Sequence, residues 1–287
     1  MTKHTQTFKD FQTKHNLNYS NFFTFTNPKV LKNDLKEVPT AILMLMNTPK
    51  ACPSAGSCRS VCLITSGNPI YLDNKIKCRI RRNNAFISDY SIFLRYLVVN
   101  CFRHYAKNRT AEKVGFRLNG VSDYAWEDFS VKLTAEDTDY IKKAFNIYIE
   151  PIRYGSVIEA VQKAIDLNNN ELLKNSVQFY DYSKRIDRDF KKIKALNYHI
   201  TLSHGSKDDT FKKALELGLN YAAAFNLKKS QDLPKKFTYK GINLNVIDGD
   251  ITDYRPLDNN NKTNIVGLHF KIVVNKDNAK KLDFCIA

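Results

Sequence analysis

Glycine is scarce in this chain, with ten in 287 residues, and none falls into G-x-G-x-x-G or G-x-x-x-x-G-K-[ST]. Gly115 and Gly120 have the second spacing, but Val121 follows where a lysine is required. The common phosphate-cradling loops are thereby excluded at motif level. No apolar run approaches the ~18 residues needed to cross a bilayer. The opening MTKHTQTFKDF also lacks the apolar stretch of a secretory signal. The expectation is a soluble, cytoplasmic protein with no membrane partner. Acidic residues are in short supply too: 29 Asp plus Glu stand against 45 Lys plus Arg, a formal charge of +16 and a pI of about 9.4. A chain this basic expects an acidic partner.

What is present argues for a folded body rather than a basic tail. Hydrophobic residues make up 43% and aromatics 12%, with 18 Phe and 15 Tyr, too apolar for disorder. Length does not force a division, because α/β barrels use about 250 residues as one domain. Residues 1–38 are polar and weakly patterned, which reads as an N-terminal arm or edge segment with an irregular path. Residues 39–287 then form one α/β domain. AILMLM from Ala41 reads as a buried strand running into a Pro/Gly/Ser loop, and 75–108 as one helix or two with an exposed basic face. KVGFRLNG, IYIEPI, VQFYDYS, NYHITLS, NYAAAFN, INLNVIDG and NIVGLHFKIV are further strand candidates. Helices are expected at TAEDTDYIKKAFN, where Thr134 and Asp137 form a capping box, at VIEAVQKAIDLNNNELLKN and at DDTFKKALELG. Strands alternating with helices argue for a mainly parallel sheet. About eight strands fit a closed (β/α)8 TIM-like barrel, a partial barrel or an open sheet.

Six cysteines are distributed unevenly: Cys52, Cys58, Cys62 and Cys78 lie together as C-x5-C-x3-C-x15-C, while Cys101 and Cys285 stand apart. Such a cluster in a reducing compartment points to a metal site rather than a disulfide framework. Thiolates are the usual ligands of Zn2+ or of an iron–sulfur cluster, and three on the loop at 52–78 with a fourth arriving from the next element make a tetrahedral set. The spacing matches neither a zinc ribbon nor the usual radical S-adenosylmethionine loop.

Polar residues gather at the carboxyl ends of the expected strands, where ligands lie in α/β sheets. They are Asn119, Ser122 and Asp123 after FRL, Asp181 with Lys184 and Arg185 around FYDYSK, and Ser203 with His204 after NYHITL. Asp248, Asp250 and Asp253 follow NLNVI, with Arg255 as charge partner. Asp123, Asp181, Asp248 and Asp250 are the candidate catalytic carboxylates. Asn119, Ser122, Lys184, Arg185, Ser203 and Arg255 are the candidate substrate-binding groups. Basic residues concentrate at 75–82, at Arg103, Lys107 and Arg109, and at 184–194, a pattern that neutralises nucleic-acid phosphates.

At CPSAGSCRSVCLITSGN (52–68), FRLNGVSDYAWED (116–128), FYDYSK (179–184), NYHITLS (197–203), VIDGDITDYRPLD (246–258) and IVGLHFK (265–271), the chain resembles a bacteriophage-encoded cysteine-loop family of the gene product 88 type. The blocks keep the family's order over about residues 40–275. Leu63 stands where the family has a tyrosine after the third cysteine. The resemblance implies a phage origin, with the host cytoplasm as the site of action, an α/β barrel-like fold and a cysteine-ligated metal or cluster. One expected function is nucleobase modification or exchange on nucleic acid, similar to the 7-deazaguanine transglycosylases. There one Asp attacks the sugar and another moves the proton, with Asp123 and Asp248 as candidates. Iron–sulfur chemistry of the radical S-adenosylmethionine kind is the alternative, and a metal-stapled, non-enzymatic nucleic-acid-binding or virion-associated module is a third.

Overall fold

A computed structural model describes residues 3–25, 31, 38–62, 71–168, 177–258, 262–270 and 284–286. Its centre is an eight-stranded sheet in a mixed α/β fold. In chain order the elements are α1 (Lys3–His15), α2 (Tyr19–Phe22), β1 (Thr40–Ile42), α3 (Leu72–Ser88), α4 (Tyr90–Lys107) and β2 (Val114–Arg117). Next come β3 (Val131–Lys132), α5 (Ala135–Phe145), β4 (Arg153–Tyr154), α6 (Val157–Asn168), β5 (Val177–Ser183), α7 (Phe190–Ala195), β6 (Tyr198–Ser203) and α8 (Thr210–Leu217). The last are β7 (Tyr221–Phe225), β8 (Lys236–Tyr239), β9 (Ile242–Asp248) and β10 (Ile265–His269).

The sheet order is β1-β2-β5-β6-β7-β10-β9-β8, so β10 lies between β7 and β9. Every neighbouring pair is parallel except β8 with β9, which form a hairpin. The expected parallel α/β sheet is therefore present. Closure into a barrel is not: among the described residues β1 pairs in the sheet only with β2, and β8 only with β9. The β1 edge is covered by the N-terminal segment, where Thr24 and Ile42 exchange backbone hydrogen bonds of 2.8 and 3.2 Å. Covering an edge in this way withholds it from other chains.

Three local readings are corrected. The segment 1–38 is not irregular over its described part, because α1 and α2 bring Phe8, Phe11, Leu17, Phe22 and Phe23 into the main core. IYIEPI is not a strand: Ile147 and Ile149 are buried and Tyr148 and Ile152 exposed, yet pairing begins only at β4, against β3. Alternation records one-sided burial of an extended segment, and a strand also requires a neighbour. The β8 strand went unread because its hairpin turns at Lys240 and Gly241, both with positive φ (49° and 78°). Lysine replaces the asparagine or aspartate that normally announces this turn.

Helix α5 is capped as its sequence implies. Thr134 Oγ1 accepts from Asp137 N at 3.2 Å, and Thr134 N donates to Asp137 Oδ2 at 2.8 Å. Asp137 is fully buried and also takes Arg95 Nε of α4 at 2.6 Å, so one carboxylate caps a helix and ties it to the preceding one. The last seven residues of VIEAVQKAIDLNNNELLKN lie outside the described residues.

Candidate functional site

Strand parity divides each polar cluster between the two faces of the sheet. On β5, Val177 and Phe179 enter the main core, while Tyr180 meets Tyr254 and Val38 on the opposite face. A cavity of about 260 Å3 opens at the carboxyl ends of the parallel strands. It is lined by Arg117 and the turn 119–123 after β2, Ser183 and Lys184 at the end of β5, and Ser203 and His204 at the end of β6. Ala222–Ala224 of β7, Leu268 and His269 of β10, and Gly249, Asp250, Thr252 and Asp253 after β9 complete much of the wall, with Cys52, Cys58 and Cys62 from the loop after β1.

The first part of the cysteine loop is pinned at two points. Asp123 N donates to Ala51 O at 2.9 Å. A few residues on, Gly56 N and Cys58 N both donate to Gly205 O, at 3.0 and 3.2 Å, and Lys207 N donates to Ser54 O at 3.0 Å. Ser206 Oγ reaches Ser54 O and Lys184 O, at 3.0 and 2.8 Å. Two glycines make this contact: Gly205 has φ +83°, and a Cβ on Gly56 would meet the Ser206 carbonyl carbon at 2.7 Å. The thiols thus ride on a segment held against the β6 end of the cavity.

Cys52, Cys58 and Cys62 share the cavity, but Cys78 does not line it. Cys78 sits on α3 and takes Arg81 Nη2 at 2.9 Å. Cys62 Sγ takes Asn47 Nδ2 at 3.0 Å. Burial pushes the Cys52 thiol up to about 12, and the neighbouring Asp123, Cys62 and Cys58 add to the rise. Three of the four expected thiols thus share the cavity, and the fourth lies outside its lining. Among the described residues no three His, Cys, Asp or Glu side chains are grouped so as to hold a metal ion.

The Gene product 88 family profile matches residues 21–286. The chain belongs to that family. No curated protein and no solved structure matches it. Gene product 88 is a phage-type family, and the match spans all six motif blocks that carried the resemblance. No helix among the described residues is long and apolar enough to cross a membrane.

Within this Gene product 88 chain the candidate residues separate into groups. Asp123 lines the cavity, and its buried carboxylate accepts from Ser183 Oγ and Lys184 N, both at 2.8 Å. Burial raises its pKa, against the pull of Arg188 and of those hydrogen bonds. Asp250 also lines the cavity and accepts from His269 N and Nδ1 at 2.8 and 2.9 Å. The backbone oxygen of Gln231 and Asp250 raise the His269 pKa. Asp248 is exposed, lies outside the lining and accepts from Asp250 N at 2.8 Å. The pair Asp123 and Asp248 is not brought to one cavity.

Asp181 faces inward with Phe179, as parity requires. It accepts from Leu118 N, Asn119 N and Tyr198 Oη at 3.2, 2.8 and 2.6 Å, and burial raises its pKa to about 7 against the pull of Arg117. It locks β2, β5 and β6 together rather than lining the cavity. Asn119 Oδ1 accepts from Ser122 Oγ, Tyr124 N and Trp126 Nε1 at 3.0, 2.9 and 3.1 Å, so Asn119 and Ser122 shape the cavity wall from within. Arg255 is fully buried, pairs with Asp258 at 3.1 Å and donates to Thr252 O. Arg185 pairs with Asp187 through two contacts, of 2.9 and 2.8 Å. Neither arginine lines the cavity.

The basic stripes are thinner than the sequence implies. Lys75, Lys77, Lys191 and Lys194 are exposed. Arg82 instead turns in to Asn21 O and Met44 O, and Arg188 forms a fully buried pair with Glu127. Several lining residues went unread, among them Asn47, Tyr182, Thr252, His269 and Arg117, the last with its Nη1 2.7 Å from Asp253 Oδ2. The signal for Arg117 was a charge inside an apolar strand, which demands a buried partner.

Proposed function

We propose that the protein is an enzyme in which Cys52, Cys58 and Cys62 hold a metal or iron–sulfur centre at the head of a partial barrel. The supporting observation is that these three thiols, and not Cys78, line the cavity at the carboxyl ends of the parallel strands. The donor chemistry fits a thiophilic centre, and three protein ligands leave a coordination position open, as catalytic sites do. Loading would draw the three sulfurs together and remove their protons. An iron–sulfur cluster in that position supplies one-electron chemistry when bound. The protein's part is to hold the loop on Gly205 and Ser206, to place Asp123 and Lys184 beside it, and to keep the walls apolar through Ala222–Ala224 and Leu268.

Anaerobic purification with iron, sulfide and zinc analysis tests the reading. Stoichiometric iron and sulfide, with visible absorbance lost in Cys58→Ala and kept in Cys78→Ala, support a cluster. Stoichiometric zinc with the same pattern supports a zinc enzyme and removes one-electron chemistry. Metal that binds equally in Cys58→Ala overturns the assignment.

A second reading, nucleobase exchange on nucleic acid, draws support from the +16 charge and from Asp123 and Asp250 lining one cavity. It expects base exchange to disappear in Asp123→Asn and nucleic-acid affinity to fall steeply with salt. Affinity that stays flat with salt removes it.

A further inference from the structure

Lys184 follows β5 and Ser203 ends β6, neighbouring parallel strands whose last paired residues include Ser183 and Leu202. Both line the cavity. Lys184 Nζ donates to Ser203 Oγ at 2.6 Å, and Ser203 Oγ lies 3.4 Å from Ser183 O, to which it donates. An ammonium carries three donors, so two remain for a ligand. The carboxylates of the cavity are engaged elsewhere: Asp123 by Ser183 Oγ and Lys184 N, Asp250 by His269, and Asp253 by Arg117. Among the described residues Lys184 forms no ion pair; Asp123 lies near enough to feel its charge, but the one hydrogen bond of its ammonium is to the Ser203 hydroxyl. A second cation, Arg117, lines the same cavity; its Nη1 pairs with Asp253 at 2.7 Å, and its buried Nε lies 3.8 Å from Asp181 Oδ1 with no hydrogen-bond acceptor among the described residues.

A half-buried cation beside a hydroxyl, in walls that are otherwise largely apolar, favours an oxyanion. Charge-assisted hydrogen bonds strengthen as water is excluded. We infer that Lys184 and Ser203 seat the oxyanion of a small organic substrate, a carboxylate or a phosphate monoester, whose carbon body lies against Ala222, Ala224 and Leu268. The cavity of about 260 Å3 is at the small end for ligand sites and suits a metabolite-sized body. The net charge of the chain draws such anions in. The inference names the substrate class of the proposed active site, and it rests on the reading that this cavity is that site.

The test is titration of the full chain with inorganic phosphate and, separately, with acetate, followed by calorimetry and thermal shift. At least one anion is expected to bind saturably, at least tenfold more weakly in Lys184→Gln and several-fold more weakly in Ser203→Ala. Lys184→Arg should recover most of the loss, and Lys194→Gln, an exposed lysine of α7, should match the parent. Preference for phosphate assigns a phosphate monoester, and preference for acetate a carboxylate. No saturable binding by the parent, undiminished binding by Lys184→Gln, or an equal loss in Lys194→Gln overturns the inference. Cys58→Ala separates the two readings: it is expected to lose metal and keep anion binding. Metal retained there, with anion binding lost in Lys184→Gln, rejects the thiol centre and leaves the anion seat standing.

Discussion

Replacing Gly56 by alanine places a methyl 2.7 Å from the carbonyl carbon and oxygen of Ser206 and 2.9 Å from Lys207 N. All three are backbone atoms, so no side chain can swing aside. Ordinary contact begins near 3.4 Å, and the two segments must part by about 0.7 Å. The Gly56 N to Gly205 O bond, 3.0 Å in the parent, then stretches to about 3.7 Å, beyond hydrogen-bonding range. The Cys58 N and Lys207 N bonds run between the same two segments and go with it. Three backbone bonds at about 0.5–1.5 kcal/mol each amount to about 2–4 kcal/mol, less up to about 1 kcal/mol returned by the lower entropy of the unfolded alanine chain. For a chain of this size that is a fall in Tm of about 2–6 °C if unfolding is cooperative. Amide hydrogen exchange is the decisive assay, because it reads the clamp even where the loop opens alone. Protection at Cys58 and Lys207 should drop by ten- to several-hundred-fold, and the Cys58 thiol should react faster with a disulfide reagent. Gly241→Ala is the control: nothing lies within 4 Å of its added methyl, and although its φ of +78° strains the β8–β9 turn, protection at Cys58 and Lys207 should stay unchanged. Unaltered protection at both amides in Gly56→Ala would refute the clamp.

Other outcomes follow from the buried polar groups. Arg188→Met should cost about 3–5 kcal/mol in urea unfolding, because Glu127 keeps its charge in a fully buried site without its partner. The Arg188→Met, Glu127→Leu double variant should recover most of that loss, and failure to recover would show that the pair does more than neutralise itself. Asn119→Ala should cost about 2–4 kcal/mol by stranding the donors of Ser122, Tyr124 and Trp126. Trp126 is the single tryptophan, so its emission should shift to the red, and an unchanged spectrum would contradict the hub. Burial lowers the His104 pKa from 6.5 to about 4, so between those values the unfolded chain binds more protons and stability falls as pH falls. Between pH 7 and pH 5 the parent should lose about 2 kcal/mol relative to His104→Gln. A pH-independent difference would mean that His104 titrates normally.

Much of the site was legible because its determinants are local. The cysteine loop after the first strand, the capping box at Thr134 and the polar strand ends that reach the cavity all appear as spacing. Asp181 was misjudged as a cavity group although the needed signal was present: it shares parity with Val177 and Phe179, so it faces the core and must find donors there. Asn119 could not be placed from sequence, since its carbonyl serves three donors that only the folded turn brings together. That Cys78 stays out of the cavity lining was not legible, because spacing along the chain does not fix the direction of a side chain on a helix. Sheet order was illegible for a similar reason. Nothing in INLNVIDG or NIVGLHFKIV says that the later strand enters between β7 and the earlier one, and that choice rests on long-range pairing.

The position of β10 also sets an order of events during synthesis. The β8–β9 hairpin is a local pairing, but it has no place in the parallel sheet until β10 has left the ribosome and seated beside β7. Until then β7 presents an open edge, and the turn bearing Asp250 and Asp253 has no floor beneath it. The nascent chain therefore holds a half-built sheet through the making of some forty residues, an interval in which unpaired strand edges invite wrong partners.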